Sequence, residues 1–186
     1  MYETLCITIK HGIDTGDSNP IKSKVRPLLA DSKKSIEGKK IWEEMQRMGV
    51  IERVHPAALT QWASPLHLAK KPNSDSFRPC VDFRLVNQVT KADNYPIPTL
   101  KAFTKQLKGC KVFSVVDLRS AFFNLPIHEN SIDKTTVLSP WGGAFVFRRL
   151  PFGLRNGPSS WMKFLDHALS GLDHIYTYLD DIWCRQ

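Results

Sequence analysis

The stretch IYTYLDDIWC, Ile175 to Cys184, sets two adjacent carboxylates, Asp180 and Asp181, between two apolar runs. Unpaired charge beside a hydrophobic strand is costly. Ile175 to Leu179 and Ile182 to Cys184 both read as β-strands, which makes Asp180-Asp181 the expected turn of a hairpin. Aspartate favours turns, so a solvated hairpin tip is the plain reading. A site built on carboxylate oxygens is the other, and the rest of the chain has to decide.

A second strand supplies a third acid. Val112 to Asp117 (VFSVVD) is a short β-branched run that stops abruptly in a carboxylate, the pattern of a buried strand delivering Asp117 at its end, although a lone strand-end aspartate is usually a cap or turn residue. If both strands share one antiparallel sheet, the carboxylates converge. Such a cluster repels itself unless cations bind, and hard cations such as magnesium take oxygen ligands and keep several waters. In two-metal sites the ions lie about 3.5–4 Å apart and clamp both oxygens of an in-line displacement. Because successive strand side chains alternate faces, Asp180 is expected to be the principal ligand and Asp181 the accessory one.

Further out, Phe145 to Arg149 reads as a strand, followed by Leu150-Pro151-Phe152-Gly153. Pro158 opens a helix with Trp161, Phe164, Leu165, Ala168, Leu169 and Leu172 as its core face and Gly171 near its stop. Ser35 to Met48 reads as an amphipathic helix, packing through Ile36, Ile41, Trp42, Met45 and Met48 and ended by Gly49. Ser64 to Lys70 and Phe77 to Phe83 form an expected hairpin around the polar turn Lys71 to Ser76. Met1 to Asp31 has no sustained period and reads as an extended lead-in with little core. Asp14-Thr15-Gly16 matches the aspartic protease triplet, but Asp17-Ser18-Asn19-Pro20 follows in place of an apolar strand, so that reading fails.

Composition narrows the partners. A chain of 186 residues with 42% hydrophobic content has room for one core and a smaller lobe. The net charge of +8 favours a polyanion. Lys101, Lys105, Lys108, Lys111, Arg119, Lys134, Arg148 and Arg149 load the middle with positive charge, whereas Asp166, Asp173, Asp180 and Asp181 gather near the end, a combination that suggests metal beside phosphate. The cysteines Cys6, Cys80, Cys110 and Cys184 are scattered, with no zinc-ligand spacing, and point to a reducing, intracellular setting. No apolar run approaches the roughly 20 residues of a membrane helix and no signal pattern opens the chain, so no membrane is expected.

Tyr178-Leu179-Asp180-Asp181 resembles the Tyr-x-Asp-Asp signature of reverse transcriptases, and further blocks are similar to that family in the right order. Phe113 to Phe122 (FSVVDLRSAF) looks like its first metal-binding motif and Leu150 to Trp161 (LPFGLRNGPSSW) like its template- and nucleotide-positioning motif. Trp62 to Lys71 with Phe77 to Asn87 resembles the fingers hairpin, and Asn94 to Leu100 (NYPIPTL) the linker of gypsy-type long-terminal-repeat retrotransposons. His11 to Ile21 looks like the segment preceding the polymerase there, which disposes of the protease triplet. The resemblance covers nearly the whole chain. It implies an α+β fold, the fingers and palm of a right-hand polymerase, with an antiparallel palm sheet backed by helices. The implied division is a lead-in over 1–34, fingers with part of the palm over 35–111, and palm over 112–186, with the thumb absent and an RNase H domain lying beyond Gln186.

The same resemblance implies an RNA-directed DNA polymerase with two magnesium ions, or manganese, held by Asp117, Asp180 and Asp181 with the backbone of Leu118. Lys71, Arg78, Arg119, Ser120 and Ala121 would meet the incoming deoxynucleoside triphosphate, lysine as a point charge and arginine as a planar fork. Phe122 matches the aromatic gate that blocks a ribose 2′-hydroxyl; its plain reading is a core phenylalanine beside Phe123. Phe152 and Gly153 match positions against the nascent base pair. Asp82, Arg84, Asn87 and Tyr178 match positions near an RNA or DNA template and its primer, with an Asp82–Arg84 salt bridge as the alternative. The implied setting is a cytoplasmic retroelement particle, as part of a Pol polyprotein. The chain departs from the gypsy-type pattern at Phe123-Asn124, where His-Gln is usual, at Gly157, where alanine is usual, and at Trp161, where phenylalanine is usual. An RNA-directed RNA polymerase shares the palm, but Phe122 and the Tyr-Leu-Asp-Asp turn argue against it. A truncated or domesticated remnant that binds nucleic acid without extending it is the non-catalytic alternative.

Overall fold

The computed structural model describes residues 9–29, 32–58, 60–72, 74–99, 101, 104, 105, 108, 109 and 111–185, with Arg185 by its backbone alone. Expectations that involve Cys6, Asn73, Leu100 and Cys110, and those for the first eight residues and for 30 and 31, lie outside the described residues.

Helix α1 (Lys33–Arg47) starts where Ser32 Oγ accepts the Ser35 N–H at 3.2 Å and ends at Gly49, whose φ of 72° is the left-handed conformation of a helix stop. Trp42 and Met45 are buried as expected, but Ile36 faces water. Gly38 lies on the inward face: a Cβ there would meet Leu68 Cδ1 at 2.3 Å, so the helix approaches the sheet only because this residue has no side chain. A hydrophobic-period reading gives glycine no weight, which is why it selects Ile36.

Among the described residues the further α-helices and strands are β1 (Ile51–Arg53), β2 (Ser64–Lys70), β3 (Phe77–Val81), α2 (Arg84–Val89), β4 (Phe113–Asp117), β5 (Val137–Leu138), β6 (Ala144–Phe147), α3 (Gly157–Ala168), β7 (Ile175–Tyr178) and β8 (Asp181–Arg185). The strands make a five-stranded sheet in the order β1-β6-β5-β2-β3 and a three-stranded sheet in the order β4-β8-β7. Among the described strands β2 and β5 run parallel, and the remaining pairs are antiparallel. The expected hairpin is present, with Lys70 opposite Phe77 and the Lys71 N–H donating to the Ser76 carbonyl at 3.0 Å. The larger sheet takes strands from either side of residue 112.

One hydrophobic core reaches both sheets. Trp42 meets Phe145 and Phe147 edge-on, α3 inserts Trp161, Met162 and Leu165, and β8 contributes Ile182. Helix α3 stops at Ala168, so Ala168 and Leu172, expected on its core face, are exposed, and Met162 is buried in the stripe. Strand β4 also differs from expectation: Val115 and Val116 are about half exposed rather than buried. β4 is the edge of the small sheet. Branching at Cβ favours extended backbone whether or not the side chain is covered, so the run reports a strand and not its burial.

The lead-in is also more deeply integrated than its sequence suggests. His11, Ile13 and Thr15 are buried, and Ile9 and Ile21 pack against the core. Single parallel bridges, His11 to Ile127 and Lys22 to Ala63, stitch the segment to the body without forming a strand, which leaves no periodic signal to read. The Asp14 carboxylate accepts from the Gly16 N–H at 2.8 Å and pairs with Lys91 at 3.0 Å, closing a turn.

His11 Nδ1 lies 2.8 Å from Ser160 Oγ on α3, locking the lead-in to the helix. Burial lowers the imidazole pKa from 6.5 to about 4, against a smaller opposing pull from Asp93. The neutral ring is therefore the folded form. Its stability contribution is complete above pH 6.5 and is lost as pH falls towards 4, because the unfolded chain takes up the proton first. The two values bound the effect at roughly 3 kcal/mol. Urea unfolding of the parent and His11→Asn from pH 7.5 to 4.5 should show the parent losing stability more steeply; parallel curves would count against this histidine.

Candidate active site

Asp117 is the last residue of β4 and lies directly opposite Asp181, the first residue of β8. Directly opposed residues of an antiparallel pair project from one face, so the two carboxylates are neighbours. The Leu118 N–H donates to the Asp180 carbonyl at 3.3 Å, joining the end of β4 to the turn. The three acids expected to converge therefore occupy one end of one sheet. The turn itself sits one residue earlier than expected: Tyr178 pairs with Asp181, which leaves Leu179 and Asp180 as its central residues. Leu179 takes the left-handed conformation, with φ 52°, a role that sequence reasoning assigns to an acid and not to leucine.

Asp117 and Asp181 are exposed, whereas Asp180 is half-buried. Its Oδ1 is shielded from solvent and has no hydrogen-bond partner among the described residues. Burial pushes the Asp180 carboxyl above its ordinary range, and the charges of Asp181 and then Asp117 push it further. A buried acceptor with no donor and two like charges beside it is an arrangement that a hard divalent cation relieves. The described His, Cys, Asp and Glu side chains do not by themselves close a cluster of three or more around an ion. The fit is thus to a cation that keeps water or takes phosphate oxygens for its remaining positions, as magnesium does.

The backbone after Asp117 passes Arg119 and Ser120, both exposed, with Ser120 at φ 53°, and enters a short 3-10 turn over Ala121–Asn124. Phe122 is 8% exposed and stacks on Phe152 with ring centroids 5.0 Å apart and planes 19° apart. It also tilts against Trp161 at 5.9 Å. Phe122 is thus part of the core and, through the exposed Phe152, reaches the surface. Gly153 has φ 94°, and an added Cβ would come no nearer than 3.7 Å to the Val81 carbonyl, so within the chain this position needs glycine for its backbone angle. At Gly157 an added Cβ would meet Leu150 and Phe122 at an ordinary 3.7 Å, so the departure from alanine there is sterically mild.

Lys71 and Arg78 flank the tip of the β2–β3 hairpin, both exposed, in the larger sheet and not in the one carrying the acids. Asp82 accepts a two-point contact from Arg84, at 2.8 and 2.7 Å, and a third bond from Arg26 at 2.7 Å. The Arg84 hydrogen bond holds its carboxyl well below the usual range. The salt bridge anticipated as the alternative for this pair is present. Asn87 also has structural work: its amide donates to the Gly153 carbonyl at 2.7 Å and accepts from the Arg155 N–H at 2.8 Å, fixing the loop that carries Phe152. Tyr178, half-buried, ends β7 opposite Asp181.

Sequence reasoning passes over three residues that hold this site together. Arg155 donates to the Thr90 carbonyl at 3.0 Å, and Asn156 bridges the Asp93 N–H and the Lys91 carbonyl at 3.1 and 2.7 Å. Trp161 donates its indole N–H to the Leu179 carbonyl at 2.8 Å. A helical stripe counts Trp161 as core alone; the usable signal is that a buried indole N–H needs an acceptor.

Residues 69–184, more than half of the chain, match the family described as reverse transcriptase (RNA-dependent DNA polymerase), and the chain belongs to that family. It is 34% identical over 185 residues to the retrovirus-related Pol polyprotein from transposon 297 of Drosophila melanogaster, covering 96% of this chain and 17% of that protein. To the Pol polyprotein from transposon gypsy of the same fly it is 30% identical over 177 residues, covering 91% of this chain and 16% of that protein. The chain thus spans less than a fifth of these relatives. Among solved structures, prototype foamy virus protease-reverse transcriptase superposes with a TM-score of 0.80 at 22% identity, over 95% of this chain and 23% of that one. The foamy viral enzyme in complex with an RNA/DNA hybrid gives the same TM-score at 24% identity, with the same coverage of both chains. The expected α+β fold of fingers and palm stands.

Because the folded environment raises the Asp180 pKa above its ordinary 3.8, ionisation destabilises the folded, metal-free chain at neutral pH. Asp180→Asn should raise the thermal midpoint without metal at pH 7, with the gain shrinking as pH approaches 3.8, and should remove any rise on adding magnesium. A variant that melts below the parent in chelator would contradict this account.

Proposed function

We propose that this chain is the fingers-and-palm part of an RNA-directed DNA polymerase, extending a primer 3′-hydroxyl with deoxynucleoside triphosphates along an RNA or DNA template. The observation that carries the reading is the buried, partnerless Asp180 Oδ1 beside Asp181 and Asp117. Membership of the family supports it. In this reading residues 1–34 lead in, 35–111 form the fingers with part of the palm, and 112–186 continue the palm. A thumb and an RNase H domain of the same polyprotein would complete the enzyme, within a cytoplasmic retroelement particle.

Asp117, Asp180 and Asp181, with the Leu118 carbonyl, would hold two divalent cations, magnesium with manganese as a substitute, with water or phosphate oxygens completing their shells. When bound, these supply a lowered pKa at the primer hydroxyl and charge neutralisation at the departing pyrophosphate. Asp180 is the principal ligand because its oxygen is already stripped of water and its ionised form gains most from a cation. Arg119 and the backbone of Ser120 and Ala121 run past the acids and cradle the triphosphate, while Lys71 and Arg78 close on it from the fingers tip. Phe122, stacked on the exposed Phe152, is the aromatic gate that rejects a 2′-hydroxyl by bulk. Gly153 keeps the Phe152 loop against the nascent pair, and Asn87 anchors that loop. Arg84, oriented by Asp82, and Tyr178 meet the template and primer. Sequence is read by base pairing, so the protein grips phosphates and its affinity falls with salt.

Primer extension on an RNA template tests the reading. Activity in the parent should fall at least about 10²-fold in Asp117→Asn and in Asp180→Asn; extension that survives either change would refute the assignment of the acids. Supplying the downstream thumb in the same polypeptide should raise extension without altering that dependence.

Phe122→Val should lower discrimination against ribonucleotides by about tenfold or more, measured as the ratio of kcat/KM for the two sugars within one variant. That ratio cancels the general loss of packing against Phe152 and Trp161. An unchanged ratio would leave Phe122 as a core residue alone.

A further inference from the structure

We infer that Trp161 is a positioning residue for the carboxylate turn, and that its indole N–H holds Leu179 in the left-handed conformation that presents Asp180 and Asp181 to Asp117. The function of the positioning rests on the proposed metal-binding role of those acids.

Leu179 has a positive φ of 52°, a conformation that non-glycine residues adopt only where surrounding contacts impose it. The contact is visible: Trp161 Nε1 donates to the Leu179 carbonyl at 2.8 Å. A second bond acts on the next residue, from the Leu118 N–H to the Asp180 carbonyl at 3.3 Å. Successive carbonyls of the turn are thus held by two elements, helix α3 and the end of β4. Trp161 is itself 1% exposed and wedged between Phe122 at 5.9 Å and Phe164 at 5.2 Å, so its donor atom has little freedom to move. Its only strong polar handle is that N–H, and the buried ring has to place it on an acceptor. Phenylalanine would fill much of the same space and leave the Leu179 carbonyl without this donor.

Trp161→Phe separates the hydrogen bond from the packing. Amide exchange should accelerate about tenfold at residues 179–182 and stay near parental values elsewhere in α3 and in the five-stranded sheet, since one lost bond releases a local opening. Binding of Mn2+ alone, followed by electron paramagnetic resonance, should weaken several-fold. In the Leu179→Gly background, where glycine adopts the turn conformation unaided, Trp161→Phe should have a much smaller effect on exchange. Unchanged exchange at 179–182 in Trp161→Phe would overturn the inference whatever the metal data show. Faster exchange with no Mn2+ binding by the parent would uphold the clamp and sink the metal reading instead. If Trp161→Phe does not fold, the parent labelled with 15N-tryptophan decides: a nuclear Overhauser contact from one of the five indole N–H protons to the protons of Leu179 and Asp180 upholds the contact, and its absence from all five rejects it.

Discussion

Mutual repulsion among Asp117, Asp180 and Asp181 is the constraint around which the small sheet is built. An unfolded chain would let these carboxylates drift apart in water. The fold instead sets Asp117 opposite Asp181 and ties the Asp180 carbonyl to Leu118, so the acids cannot separate without unzipping β4 from β8. Partial burial of Asp180 makes this costlier still and leaves Oδ1 without a donor. A bound cation would offset that cost, which is the reading proposed for the orphaned oxygen.

Rigidity around the acids comes from elements far apart in sequence. Helix α3 is anchored at its start by Asn156, which reaches the backbone of Lys91 and Asp93, and again by Ser160 against His11. The lead-in is therefore a strut for the helix that carries Trp161. A neutral, buried imidazole in that strut links the placement of the helix to pH, well away from the carboxylates themselves.

Much of the site was legible because its chemistry is written in short runs. The Asp180-Asp181 pair, the strand ending in Asp117, the fingers hairpin and the helix after Pro158 all carry local signals of period, turn chemistry or charge. The failures have physical causes. Exposure of Val115 and Val116 is invisible because β-branching encodes extended backbone and not coverage. Gly38 and the lead-in escape notice because close approach and isolated bridges leave no periodicity. The turn is displaced by one residue because Leu179, which has no intrinsic preference for a positive φ, is held there by a tertiary contact. Asp82 and Asn87 show a further limit: a motif supplies a residue's type and place, whereas the partners its side chain takes up are settled only by the fold.

The aromatic contacts give the site its internal logic. Phe152 stacks on Phe122, Phe122 leans on Trp161, and Trp161 holds the carbonyl of Leu179. The exposed ring at one end and the acidic turn at the other are therefore joined through two successive ring contacts and one hydrogen bond. Close-packed interiors transmit displacement because side chains have few alternative rotamers and no void to move into. In the proposed reading, a base pair against Phe152 would load the turn that Trp161 holds, whereas a ring at position 161 without a donor would break the series at its last link. At that last link a hydrogen bond and not a ring contact completes the series.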